Sequence, residues 1–262
     1  MRMNTEDWRP WLLLALAVLG LVAVFEHAPV YQDPAYHHFV DTRAFFGIPN
    51  FMNVVSNVPF LIVGVAGFML CVRRQDLPQR QAWAVAFTGI GLVGFGSAWY
   101  HWSPGNAALV WDRLPITLGF MGLLSALMGE YVGERVGRAI LLPVLLVGAL
   151  SIGVWCLTGD LRLYVWVQFM PLLLVPVMML LCKTPWSHRW LLAVALGLYV
   201  MAKLCEAFDV RIFAFLGHTL SGHTIKHLFA AGACYSFIVM LKHGNRLPLP
   251  ELAAETESYP VQ

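Results

Sequence analysis

The sequence predicts an all-α integral membrane protein, a bundle of helices crossing a bilayer. Three observations predict it. First, 59% of the 262 residues are hydrophobic and only 12% charged, with a mean hydropathy of +0.67. A soluble domain carries about 25% charged residues, so this chain could not cover itself with polar surface in water. Second, the apolar residues fall into eight runs close to the roughly 20 residues that a helix needs to cross hydrocarbon. Third, Lys and Arg collect at alternate ends of those runs, the asymmetry that sets membrane orientation. The net charge of +2 is small and scattered, which gives no basis for a nucleic-acid partner.

In order, the runs cover 11–25, 51–72, 82–101, 107–130, 138–158, 163–182, 189–206 and 218–241, with ends uncertain by about 2–4 residues. The first follows Arg2 and Arg9. The segment Phe25-Glu26-His27-Ala28-Pro29 behind it is a poor small-residue cleavage site, so the run reads as a retained helix rather than a signal peptide. The links are short and charged or turn-rich, among them Arg73-Arg74-Gln75-Asp76, Ser103-Pro104-Gly105-Asn106, Thr158-Gly159-Asp160 and Lys183-Thr184-Pro185. None is long enough for a second domain. The tail from His243, with Leu247-Pro248-Leu249-Pro250 and glutamates after it, reads as a disordered cytoplasmic extension. Cys71, Cys156, Cys182, Cys205 and Cys234 sit in or beside apolar runs without a CxxC pair and read as small hydrophobes.

Eight alternating helices with a cytoplasmic N-terminus place Arg2, Arg9, Arg73, Arg74, Arg80, Arg135, Arg138, Lys183, Arg189, Lys242 and Arg246 on the cytoplasmic side. Arg43, Arg113, Arg162 and Arg211 fall on the other. Both termini are expected in the cytoplasm. The compact loops point to a bacterial inner membrane.

Ionisable residues inside spans are costly and mark function. Of nine histidines, those at 27, 37, 38, 188, 218 and 243 lie near interfaces or in links. His223 and His227 are spaced i, i+4, so both imidazoles share a helix face. Alone, the pair reads either as a metal site or as a hydrogen-bonded core pair. His101 ends the third run, with Ser97 one turn before it. Asp112, next to Arg113, opens the fourth. Alone, Ser97 reads as a serine bonded back to its own helix and Asp112 as a salt-bridged anchor.

The predicted topology brings all five to one depth in the non-cytoplasmic leaflet. Three neutral imidazoles suit zinc, with a fourth position left for water. Asp112 would move protons, and Ser97 would hydrogen-bond an oxyanion. The parts suit hydrolysis of an amide or ester of a membrane lipid. A receptor or transporter holding zinc structurally is the competing class; a structural site is usually closed by four protein ligands, and only three histidines match in depth here.

The pattern Ser97-x3-His101, Asp112, His223-x3-His227, together with Asn53-Val54-Val55-Ser56-Asn57, resembles the alkaline ceramidase family, part of a group of seven-helix membrane hydrolases that includes adiponectin-receptor-like proteins. The resemblance implies a seven-helix core over 31–242, preceded by an additional transmembrane helix in 1–30 and followed by the tail 243–262. It implies zinc on His101, His223 and His227, catalysis by Ser97 and Asp112, and cleavage of the ceramide amide, or that of a related acyl-lipid, to sphingosine and a fatty acid. Asn53, Ser56 and Asn57 are expected to pack or hydrogen-bond helices. The family also binds calcium before this motif. Here Asp41 and Asn50 stand at plausible ligand positions, while Tyr36 and Phe39 replace acidic residues and Asp33 is out of register. Lys203 and Glu206, i and i+3, are expected to pair, with Lys226 on a different face from the histidines around it.

Overall fold

The structure, a computed structural model, describes residues 8–182 and 187–244. Arg2, Lys183, Arg246, the Lys183-Thr184-Pro185 link and the tail beyond Gly244 lie outside the described residues. Among the described residues, eight spans are long and apolar enough to cross a membrane. They are formed by α1 (Arg9–Glu26), α2 and α3 together (Phe51–Val55, Val58–Arg73), α4 (Arg80–Trp102), α5 (Asn106–Tyr131), α6 (Glu134–Thr158), α7 (Arg162–Leu181), α8 (Trp190–Ala207) and α10 (Gly222–His243), with a short α9 (Asp209–Phe215) between the last two.

The bundle is sorted for lipid rather than water. Leu146, Leu157, Leu180 and Phe215 are exposed, as suits side chains facing hydrocarbon. Inside, small residues let backbones approach. A Cβ on Gly64 of α3 would lie 2.3 Å from the Cα of Gly91 on α4, and one on Gly96 of α4 would lie 1.8 Å from the carbonyl oxygen of Trp111 on α5. These helices cannot separate without losing the contact. Against α7 lies α1, where Trp166 Nε1 donates to the Ala17 carbonyl at 3.0 Å and Arg162 Nη1 to the His27 carbonyl at 2.7 Å.

Two spans depart from uninterrupted runs. The second breaks at Ser56-Asn57, where Pro59 supplies no N–H and the side chains take over: Asn57 Nδ2 and Ser56 Oγ donate to the Asn53 carbonyl at 2.7 and 3.1 Å. The last span starts at Gly222 rather than 218, because Gly217 (φ 60°) and His218 (φ 61°) take left-handed conformations that end α9. Ser221 caps α10, its side chain accepting from Thr224 N–H at 3.0 Å.

Candidate metal centre and lipid cavity

Three chain segments meet at one end of the bundle: the end of α4, the beginning of α5 and the beginning of α10. The ligating atoms of His101, His223 and His227 lie within 4.8 Å of one another, the only such cluster of His, Cys, Asp or Glu among the described residues. The three side chains are 1%, 7% and 5% exposed. Nε2 of His101 and Nε2 of His223 stand 3.2 Å apart.

The surroundings orient these rings. Ser56 Oγ lies 2.7 Å from His227 Nδ1. Because the serine proton goes to the Asn53 carbonyl, the histidine is the donor, and its Nε2 is left as a lone pair. Asp209 Oδ1 accepts the His223 backbone N–H at 2.8 Å, and Asn50 Nδ2 donates to the His101 carbonyl at 2.8 Å. Burial pushes the Asp209 carboxyl up, opposed by the hydrogen bond from the His223 backbone. Phe39 covers two imidazoles, its centroid 4.6 Å from His101 and 5.4 Å from His223.

The donors fit a transition metal. All are imidazoles, the ring nitrogens outnumber their protein partners, and Nδ1 of His101 is buried with no hydrogen-bond partner. Such a set suits zinc better than calcium or magnesium, which prefer oxygen.

The residues expected to hold calcium are engaged with protein partners. Both Asp41 carboxylate oxygens are taken by Arg43, Nε at 2.8 Å and Nη2 at 2.7 Å. Nη2 of Arg43 also donates to the Thr219 carbonyl at 2.7 Å. Burial pushes the Asp41 carboxyl up, but the hydrogen bonds and charge of Arg43 outweigh it and hold it below the ordinary carboxylate range. Asn50 donates its amide nitrogen to the His101 carbonyl, which leaves one amide oxygen and no cage of carboxylates beside it. Asp33 caps the turn Pro34–His37, Oδ1 accepting from Ala35 N–H at 2.8 Å.

Beside the histidines is a cavity of about 400 Å³ within the bundle, and His227 forms part of its wall. Ser97 and Asp112 line it too, the serine hydroxyl within hydrogen-bonding reach of the carboxylate. Apolar side chains such as Phe60, Ile90, Val93 and Phe237 continue the walls inward. Asp112 is in none of the ion pairs among the described residues, so it is not the salt-bridged anchor that its neighbour Arg113 suggests. Glu206 pairs with Lys203, as the spacing predicts, and also with Lys226 at 2.5 Å. All three line the cavity.

Ser56, Asp209 and Phe39 belong to the site, although their place in the sequence does not point there. Ser56 was legible only as part of the Asn53-Val54-Val55-Ser56-Asn57 motif; the other two carry no spacing signal. A family model described as Ceramidase matches residues 45–250. That stretch holds Ser97, His101, Asp112, His223 and His227, whereas α1 and Asp41 precede it. No curated protein matches the chain.

Proposed function

Because the chain belongs to the ceramidase family, we propose that it is a zinc-dependent intramembrane amidohydrolase that cleaves the amide of ceramide, or of a related acyl-lipid, to a sphingoid base and a fatty acid. One observation carries the reading: three buried histidines converge beside a membrane-embedded cavity that also contains a serine–aspartate pair. His101, His223 and His227 would hold the zinc. Zinc bound there supplies a Lewis acid that acidifies water near neutral pH.

Asp112 accepts the proton of the attacking water and delivers it to the departing amine nitrogen as the C–N bond breaks. Ser97 stands where its hydroxyl can hydrogen-bond the oxyanion formed at the acyl carbon. The apolar inner walls hold the acyl chain and limit water to the reacting end. Three histidine ligands would leave zinc a coordination position for water, as catalysis requires.

The Lys/Arg asymmetry supports cytoplasmic termini and an active site toward the non-cytoplasmic side, and the compact loops support a bacterial inner membrane as its setting.

The test is ceramide hydrolysis by detergent-purified protein with metal analysis alongside. His223→Ala should lose zinc and turnover. Asp112→Asn should keep zinc and lose about 10²–10⁴-fold in turnover. Wild type without a transition metal sinks the three-histidine site. Wild type that holds zinc but cleaves no acyl-lipid favours a receptor or transporter.

A further inference from the structure

One charged member of the cavity wall has no part in this chemistry. Arg113 on α5 lines the cavity and is 7% exposed. Adjacent helix positions do not face each other, and Arg113 belongs to none of the ion pairs among the described residues. Its guanidinium carbon stands 4.4 Å from the Trp155 ring centroid, 4.8 Å from that of Tyr164 and 5.8 Å from that of Tyr36. Nη2 donates to Gln32 Oε1 at 2.5 Å. Nη1 is buried with no hydrogen-bond partner.

Aromatic faces hold the plane of a guanidinium but do not neutralise it. A buried cation in no ion pair, and with an N–H unpaired, is a costly arrangement. Elsewhere on the wall, Lys203 and Lys226 share the single carboxylate of Glu206. Together with Asp112 and Arg113, the charged side chains lining the cavity are three cations against two anions. An apolar cavity with an excess cation suits an amphiphile that ends in an oxyanion.

We propose that Arg113 is the anion-binding residue of this cavity, and that its guanidinium takes the carboxylate, phosphate or sulfonate of a bound lipid. Guanidinium matches these groups in charge and in planar hydrogen-bond geometry. The inference rests on the cavity being a lipid site, as read above, and not on hydrolysis occurring there. The oxyanion has two sources: an anionic headgroup on the substrate, or the carboxylate of the released fatty acid.

The test measures binding to full-length protein in phosphatidylcholine nanodiscs, read by fluorescence of Trp155 and its neighbours. Two matched pairs serve as probes, laurate against dodecanol and ceramide 1-phosphate against ceramide. Wild type should bind the charged member of at least one pair about 10-fold tighter or more, the scale of one charge-assisted hydrogen bond. Arg113→Gln should abolish that preference and keep the affinity for the neutral member. Arg113→Lys should retain only part of it. Preference within the ceramide pair assigns the oxyanion to the headgroup, and within the laurate pair to the product. Equal binding of charged and neutral members by wild type overturns the proposal, as does a preference that survives in Arg113→Gln. Should Arg113→Gln fail to fold, an undiminished preference in Arg113→Lys overturns it instead. A protein that shows the preference but hydrolyses no amide refutes the hydrolase reading and leaves this one standing.

Discussion

The Ser56 hydroxyl accepts the Nδ1–H of His227 at 2.7 Å, so a residue of the second span fixes the tautomer of an imidazole on the last. Partners of this kind typically set metal affinity by about 10–100-fold. Ser56→Ala should weaken zinc binding by that order, measured by competition with a chromophoric chelator. Turnover at saturating zinc should fall less. Unchanged zinc affinity would remove Ser56 from the site.

Removing the metal should destabilise the protein through the histidines alone. A ligand that binds only the folded state adds about 2.7 kcal/mol at 100 times its Kd. Chelation should therefore lower the melting temperature of wild type in detergent and leave that of His223→Ala where it was. An equal drop in both would place the effect elsewhere.

The Asp41–Arg43 pair ties the loop before the second span to the one before α10, since Arg43 also reaches the Thr219 carbonyl. Arg43→Gln leaves a buried carboxylate short of donors and should cost about 1–3 kcal/mol near pH 7. The sign with pH follows from the lowered Asp41 carboxyl. Its contribution is full above the unfolded value of about 3.9 and is lost as pH falls through the lower folded value. The difference between wild type and variant in melting temperature should hence shrink in acid below about pH 4. With both Asp41 oxygens engaged, added calcium should leave wild-type stability and turnover unchanged.

Gly96 lets α4 approach α5 beside Ser97 and Asp112. Gly96→Ala would drive a methyl into the Trp111 carbonyl, whose oxygen lies 1.8 Å from the new carbon. Overpacking of this sort costs about 1–3 kcal/mol, and an ångström of misplacement between Ser97 and Asp112 about 10²-fold in rate. Gly153→Ala on α6, where nothing lies within 4 Å, is the control and should be neutral in both assays.

Hydropathy was enough to find the eight spans, because a bilayer demands about 20 apolar residues whatever the tertiary contacts. It could not show the break at Ser56-Asn57, since side chains replace the missing backbone bond there and the residues around it stay apolar. The convergence of His101, His223 and His227 was legible because topology puts the end of α4 and the start of α10 at the same end of the bundle. Asp209 and Phe39 were not. One reaches a backbone amide fourteen positions away and the other covers rings it is nowhere near in sequence. Arg113 reads in sequence as a partner for Asp112, and only the packing of Trp155 and Tyr164 turns it elsewhere.

Helices α4 and α10 meet at two places. At one end are His101 and His223; at the other the rings of Trp83 and Phe237 stand 5.9 Å apart. Between them, along about 20–27 Å of helix, the cavity intervenes, with Ile90 and Val93 on one side and Ala230 and Ala233 on the other. The two helices thus form an arch with two abutments, one of aromatic rings and one of imidazoles. A metal would be the keystone of the second. Asn50 and Ser56 of the second span also hold His101 and His227 from behind, so that abutment would lose a tie but not its footing if the metal were removed.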